Sequence, residues 1–131
     1  MPRIEVLQPS CNPATLKDGR GGIFTWLPTE PIREFNLVTI FPGKKRGDHY
    51  HQHFVEYLLF VEGEGAVVWR ESPDSKEEHV IHVAAGSALR VEIGTVHTSY
   101  PVGAGVLKFV AMLSKPWDEC TPPIVPVPPV D

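Results

Sequence analysis

Fourteen prolines and eleven glycines are scattered through 131 residues, so no apolar run continues long enough to build a long helix. Between these breaks stand short segments rich in β-branched and aromatic residues. Phe35 to Phe41 stops at the turn pair Pro42-Gly43. Glu56 to Val61 passes through Glu62-Gly63-Glu64-Gly65 into Ala66 to Trp69, the pattern of a hairpin. A polar turn, Ser72 to Lys76, precedes His79 to Ala84, and Ala88 to Ile93 and Val106 to Leu113 complete the series. Nowhere do apolar residues recur at helical spacing through three turns. Regularly spaced short strands with turns between them predict an all-β sandwich or barrel, and the length is that of a single domain.

The two ends differ from the middle. Residues 1–30 hold Pro2, Pro9, Pro13 and Pro28 with a glycine cluster at Gly19, Gly21 and Gly22, which reads as an irregular N-terminal arm with one or two edge strands. Residues 31–115 carry the barrel. Residues 116–131 form a proline-rich tail, which cannot supply a regular central strand. Such a tail either packs extended across a surface, of this chain or a partner subunit, or stays disordered. Arm and tail together offer material for a homodimer interface.

Charge narrows the partners. The formal net charge is −4 with acids and bases interleaved, which argues against nucleic acid, because duplex binding needs a concentrated cationic face. A small phosphorylated ligand needs only two or three placed cations and stays open. The absence of a long apolar run argues against a membrane span. The opening MPRIEVLQPS does not resemble a secretory signal, so a cytoplasmic location is expected, with Cys11 and Cys120 as free thiols.

The chemistry concentrates in Gly43-Lys-Lys-Arg46-Gly47-Asp48-His49-Tyr50-His51-Gln52-His53-Phe-Val-Glu56. Alternation along a strand places His49 and His51 on one face, with His53 able to follow. Crowded imidazoles repel one another when protonated, which motivates a metal or an acid–base role. Glu56 stands at an odd interval from His49, so it joins them only if the chain bends between Gln52 and Val55. A fourth ligand candidate is His97, three residues after the turn residue Gly94. Three imidazoles and a carboxylate suit Zn, Mn, Fe, Ni or Cu without selecting among them. An HxH pair taken alone reads equally well as two surface residues of an edge strand. His53, His79 and His82 are read as such surface residues.

The glycine spacing separates these readings, because it resembles the cupin family. Gly43, His49, His51, Glu56 and Gly63 fit that family's first motif without a gap. Gly86, Gly94 and His97 match its second motif, with Glu92 where a proline is usual and Pro101 where an asparagine is usual. The resemblance implies a jelly-roll-like β-barrel that binds one divalent transition metal ion through His49, His51, Glu56 and His97. Arg46-Gly47-Asp48-His49-Tyr50 is also similar to a segment of nucleotide-sugar 3,5-epimerases and 3,4-ketoisomerases, and to the cupin domain of capsular-polysaccharide enzymes. Asp18-Gly19-Arg20-Gly21 with Phe24 resembles a stretch near the start of the epimerases.

Carried over by position, these likenesses imply His49 as catalytic base and Arg46 as a substrate contact. Arg20 and Arg90 are expected beside Arg46 at the barrel mouth. Abstraction of an acidified proton next to a 4-keto group calls for a base of near-neutral pKa and a donor to the enolate oxygen; Tyr50, Tyr100 or a metal would serve as donor. A metal held through His49 and His51 would remove their basic nitrogens from proton transfer; that task would then fall to metal-bound hydroxide or to Tyr50, or the metal would be structural only. The expected activity is that of a sugar-nucleotide isomerase or epimerase of polysaccharide or deoxysugar biosynthesis. The alternatives are another metal-dependent cupin enzyme, such as an iron oxygenase, or a non-catalytic small-molecule binder. Arginines at the mouth would favour the first; an apolar mouth would favour the oxygenase.

Overall fold

The computed structural model describes residues 2–129. Its strands run in chain order as β1 (Ile4–Leu7), β2 (Ser10–Cys11), β3 (Phe24–Thr25), β4 (Glu34–Ile40), β5 (Arg46–Tyr50) and β6 (Glu56–Glu62). They continue as β7 (Glu64–Arg70), β8 (His79–Ala84), β9 (Ala88–Val91), β10 (Val96–Pro101), β11 (Leu107–Leu113) and β12 (Val125–Pro126). Helical turns are confined to two short 3₁₀ segments, Pro13–Leu16 and Trp117–Glu119, among the described residues. No helix is long and apolar enough to cross a membrane among the described residues.

The strands form two five-stranded antiparallel sheets, β1-β9-β6-β11-β4 and β12-β5-β10-β7-β8, with a small β2–β3 pair beside them. Period-two alternation decides what faces inward. Leu107, Phe109, Ala111 and Leu113 along β11 are buried while the residues between them are partly exposed. The core joins both sheets: Ile40, Leu58, Phe60, Leu89 and Phe109 from one meet Val67 and Val83 from the other. The expected strands are present, and the hairpin after β6 turns at Gly63. A Cβ at Gly63 would lie 2.0 Å from the Val106 carbonyl oxygen, so only glycine fits where the turn crosses the chain entering β11.

The N-terminal arm supplies β1 as an edge strand on β9, and its later part covers the outer face of the same sheet. There Trp26 Nε1 donates to the Leu7 carbonyl at 3.2 Å, and Tyr57 donates to Glu30. The proline-rich tail is described as far as Pro129. It lies against its own chain: β12 pairs with β5 in the register Val125↔Tyr50 and Pro126↔His49. Prolines are tolerated because β12 is the edge of its sheet.

Candidate metal centre

Four elements deliver four side chains to one end of the core. His49 arrives on β5, whose partner is β10 in the register His97↔His49. A bulge between His97 and Thr98 lets the two strands close on each other. The approach is tightest at Gly47, where a Cβ would stand 2.4 Å from the His97 carbonyl oxygen and 2.7 Å from Thr98 Cα. Beyond Tyr50 the chain leaves the ladder, bends through residues 51–55 and re-enters at Glu56 as the first residue of β6. This is the bend that Glu56 requires to share a face with the histidines. It is pinned by Val55 N–H donating to Ser114 Oγ at 2.9 Å and Ser114 N–H donating to the Val55 carbonyl at 3.0 Å. The turn that launches His97 is stitched to the same bend, since Gly94 N–H donates to the His51 carbonyl at 2.9 Å.

The three imidazoles converge. One nitrogen from each of His49, His51 and His97 lies within 4.8 Å of the others, and the ring centroids stand 4.9, 5.0 and 5.1 Å apart. His97 and His51 are buried. Their far nitrogens are engaged: His97 Nδ1 lies 2.9 Å from the Thr95 carbonyl and His51 Nδ1 3.2 Å from the Pro123 carbonyl. Those contacts turn both Nε2 atoms toward Glu56, whose Oε1 is 3.3 Å from His51 and 3.6 Å from His97.

The electrostatics suit a cation. Burial, reinforced by the neighbouring His97 and His51, pushes His49 down to about 4, so its ring is neutral at pH 7 with a lone pair to offer. Burial alone would raise the Glu56 carboxyl, but hydrogen bonds to His51 and His97 outweigh it and hold the group below the usual carboxylate range. Neutral imidazole beside an ionised carboxylate is the protonation state that a divalent transition ion needs of its ligands. Ligand type and convergence of the three histidines therefore fit such an ion, and the Glu56 carboxylate stands against two of them.

The cluster opens into a cavity of about 430 Å³, within the size range of small-molecule sites. Val38, Leu58, Phe109, Trp117 and Ile124 make an apolar wall; Lys45, Arg46 and Ser99 supply polarity. Arg46 has no acidic partner among the described residues, whereas Lys45 is tied to Asp48 at 2.9 Å. Asp48 sits in the left-handed region at φ 55° and is held off the cluster by Lys45 and by Thr98 Oγ1, which donates to it at 2.7 Å.

Of the residues singled out in the sequence, His49, His51, His97, Glu56 and Arg46 meet at this cavity. Four others do not line it. Tyr50 follows His49 in the strand and pairs with Val125 of the tail, so alternation sends it to the opposite face. Tyr100 lines a neighbouring surface groove, which shares Lys45 and His97 with the cavity, because β10 turns Ser99 to the interior and Thr98 and Tyr100 to the outside. Arg90 pairs with Tyr57 across β9 and β6 on the outer sheet face, where its NH2 reaches Glu30 at 2.6 Å. Arg20 is exposed in the arm and ion-paired with Asp18 at 2.6 Å. The expected row of three arginines at one mouth is thus reduced to Arg46. His53 is also apart, with its Nε2 3.2 Å from the Thr121 carbonyl. Lys45 could have been found from its place in the basic run before His49. Trp117, Pro123 and Ile124 carried no such signal, since only the fold brings the tail back to β5.

Residues 16–119 match the model of a family described as the polysaccharide biosynthesis C-terminal domain. No curated protein is significantly similar to the chain in sequence. Among solved structures, the capsular polysaccharide assembling protein CapF from Staphylococcus aureus is 20% identical with a TM-score of 0.67, over 91% of this chain and 34% of its own. This chain therefore spans about a third of CapF. QdtA, a sugar 3,4-ketoisomerase from Thermoanaerobacterium thermosaccharolyticum solved with TDP, is 17% identical with a TM-score of 0.70, over 93% of this chain and 86% of its own. ChmJ, a 3'-monoepimerase from Streptomyces bikiniensis solved with dTDP-quinovose, is 18% identical with a TM-score of 0.77, over 98% of this chain and 71% of its own. At these identities the likeness is one of fold.

Proposed function

The chain belongs to the polysaccharide biosynthesis C-terminal domain family, and on that premise we propose that it is a metal-binding cupin acting on a nucleotide sugar by isomerase or epimerase chemistry. The observation that carries the proposal is the convergence of His49, His51 and His97 on a cavity that also receives Arg46, which has no acidic partner among the described residues. In this reading the strands of residues 31–115 form a jelly-roll-like barrel, extended at the sheet edges by β1 and β12, with the site inside one end. The fold likeness to a sugar 3,4-ketoisomerase solved with TDP and a 3'-monoepimerase solved with dTDP-quinovose supports the substrate class.

His49, His51 and His97 with Glu56 would hold one divalent ion, which supplies Lewis-acid polarisation of a carbonyl oxygen when bound. Arg46, with Lys45 beside it, is placed to bind the diphosphate of the substrate. The apolar wall around Trp117 and Ile124 excludes water from the reacting carbons. Proton transfer next to the sugar carbonyl is assigned to the cavity-facing nitrogen of His49, which burial keeps free of a proton at neutral pH. That nitrogen also belongs to the metal triangle, so ion occupancy and proton transfer compete for it.

Deuterium exchange from solvent into a panel of 4-keto nucleotide sugars tests the proposal, run on metal-loaded and chelated protein. Incorporation at a carbon flanking the ketone is the expected result, and its dependence on metal shows which use of His49 prevails. No incorporation with any donor in either state would refute the assigned chemistry. The extent of the apolar wall favours a second reading, a metal-dependent cupin acting on a small organic substrate, for which oxygen consumption by iron-loaded protein is the test.

The chain is further proposed to act as a homodimer, without nucleic acid or membrane partners and in the cytoplasm. Support for the dimer lies at the free edge strand β4, where Phe35 and Leu37 are 74% and 66% exposed and Phe41, just beyond it, 65%. Light scattering should give the mass of two chains.

A further inference from the structure

We infer that the C-terminal strap, residues 121–127, is a working part of the metal centre: its Pro123 carbonyl fixes the ring of His51 so that Nε2 faces the ion, and its Ile124 closes the cavity beside it. This rests on the metal-binding reading above and adds a positioning element to it.

An imidazole presents one nitrogen to a metal, and which one is decided by the partner of the other. His97 obtains that partner locally, from the carbonyl of Thr95 two residues away in the same turn. His51 obtains it from Pro123, 72 residues along the chain, with Nδ1 3.2 Å from the carbonyl oxygen. The second ligand of the HxH pair therefore depends on a segment that local structure cannot supply.

The strap is held at both ends and in between. Upstream, Cys120 is buried in the core. His53 Nε2 then lies 3.2 Å from the Thr121 carbonyl, at the bend between the two ligand strands. Downstream, Val125 and Pro126 pair with Tyr50 and His49, and Val127 N–H donates to the Asp48 carbonyl at 2.7 Å. These bonds tie the strap to the backbone on either side of His49. Between the anchors, Pro123 offers an acceptor without a donor, on a backbone whose φ the ring restrains. Ile124 follows and lines the cavity.

Zinc is the probe, because it is diamagnetic and suits the donor set. Competition with a chromophoric chelator gives zinc affinity for the full chain, for a chain ending at Cys120 and for one ending at Val127. Loss of an outer partner of a ligating histidine typically weakens metal binding by about 10- to 100-fold, since water replaces it poorly. The chain ending at Cys120 should fall in that range, and the chain ending at Val127 should bind within about twofold of the full chain. Should the shorter chain not fold by circular dichroism, Val127→Pro in the full chain removes the bond to Asp48 and is read in the same way.

Long-range ¹H–¹⁵N spectra of the zinc-loaded full chain provide a readout that stability alone would not move. The His51 proton should reside on Nδ1, protected from solvent exchange, with Nε2 bound to zinc; detaching the strap should abolish the protection. Equal zinc affinity with and without the strap, or coordination of His51 through Nδ1, would overturn the inference while leaving the metal site standing. Failure of the full chain to bind zinc or any other divalent transition ion would instead remove the reading on which it rests.

Discussion

Gly47→Ala tests the close approach of β5 and β10 on which the histidine triangle depends. The added Cβ would sit 2.4 Å from the His97 carbonyl oxygen and 2.7 Å from Thr98 Cα, and both obstacles are backbone atoms that no side-chain rotation relieves. Gly47 also has φ 125°, a conformation in which an L side chain is strained by about 1–3 kcal/mol. Forcing the strands apart adds about 1–3 kcal/mol of overpacking, and the stiffer unfolded chain returns about 0.4–1 kcal/mol. The net loss is about 1–6 kcal/mol from these components, with a midpoint of about 3 kcal/mol. Gly43→Ala is the matched control: its φ is 77° but nothing lies within 4 Å of its Cβ, so only conformational strain operates. That strain, about 1–2 kcal/mol, is partly cancelled by the same unfolded-state gain, leaving a net loss of about 1 kcal/mol or less. In urea titration, with a slope of about 1–3 kcal/mol per molar, Gly47→Ala should lower the midpoint by about 1 M or more, and Gly43→Ala by markedly less. Because His49 and His97 face each other across the affected register, zinc affinity should fall in Gly47→Ala and not in Gly43→Ala. Equal midpoints and equal affinities in the two variants would refute the reasoning.

Other consequences are open to measurement. His49→Ala combined with His97→Ala should abolish transition-metal retention as read by elemental analysis, whereas His82→Ala, outside both the triangle and the strap, should leave it intact. Arg46→Ala should raise KM for a nucleotide sugar at least tenfold, while Arg20→Ala, paired with Asp18 in the arm, should leave it unchanged; the reverse pattern would relocate the phosphate contact. Hydrogen bonding to Arg90, with Tyr57 and Thr29 adding to it, carries Glu30 from 4.5 down to about 2 against the opposing effect of burial. A carboxyl lowered on folding stabilises the protein above its unfolded value and loses that contribution as pH falls. Unfolding midpoints should therefore drop between pH 4.5 and 2, and Glu30→Gln should flatten that dependence by on the order of 1–2 kcal/mol, allowing for solvent screening.

Much of the site was legible because it is local. Strand parity anticipates a shared face for His49 and His51, although His51 stands one residue beyond β5, and the odd interval to Glu56 demands a bend, which the chain makes at residues 51–55. Turn glycines mark where β5, β6 and β10 begin and end, so the sheets follow from punctuation and alternation. Adjacency in the strand sends Asp48 to the face opposite His49, where it meets Lys45 and Thr98. What parity cannot deliver is which face of which sheet is covered by what. Arg90 and Tyr100 lie on strands that pass the site, yet each points outward, Arg90 to a glutamate of the arm and Tyr100 to a surface groove. The proline-rich tail could be read only as unable to form a central strand. Its return to β5, and with it the Pro123 carbonyl on His51, depends on an edge left open by the fold and on contacts spanning some seventy residues. The histidines that converge were thus marked by local spacing, while their orientation and the walls of the cavity were decided by long-range packing, which no local pattern encodes.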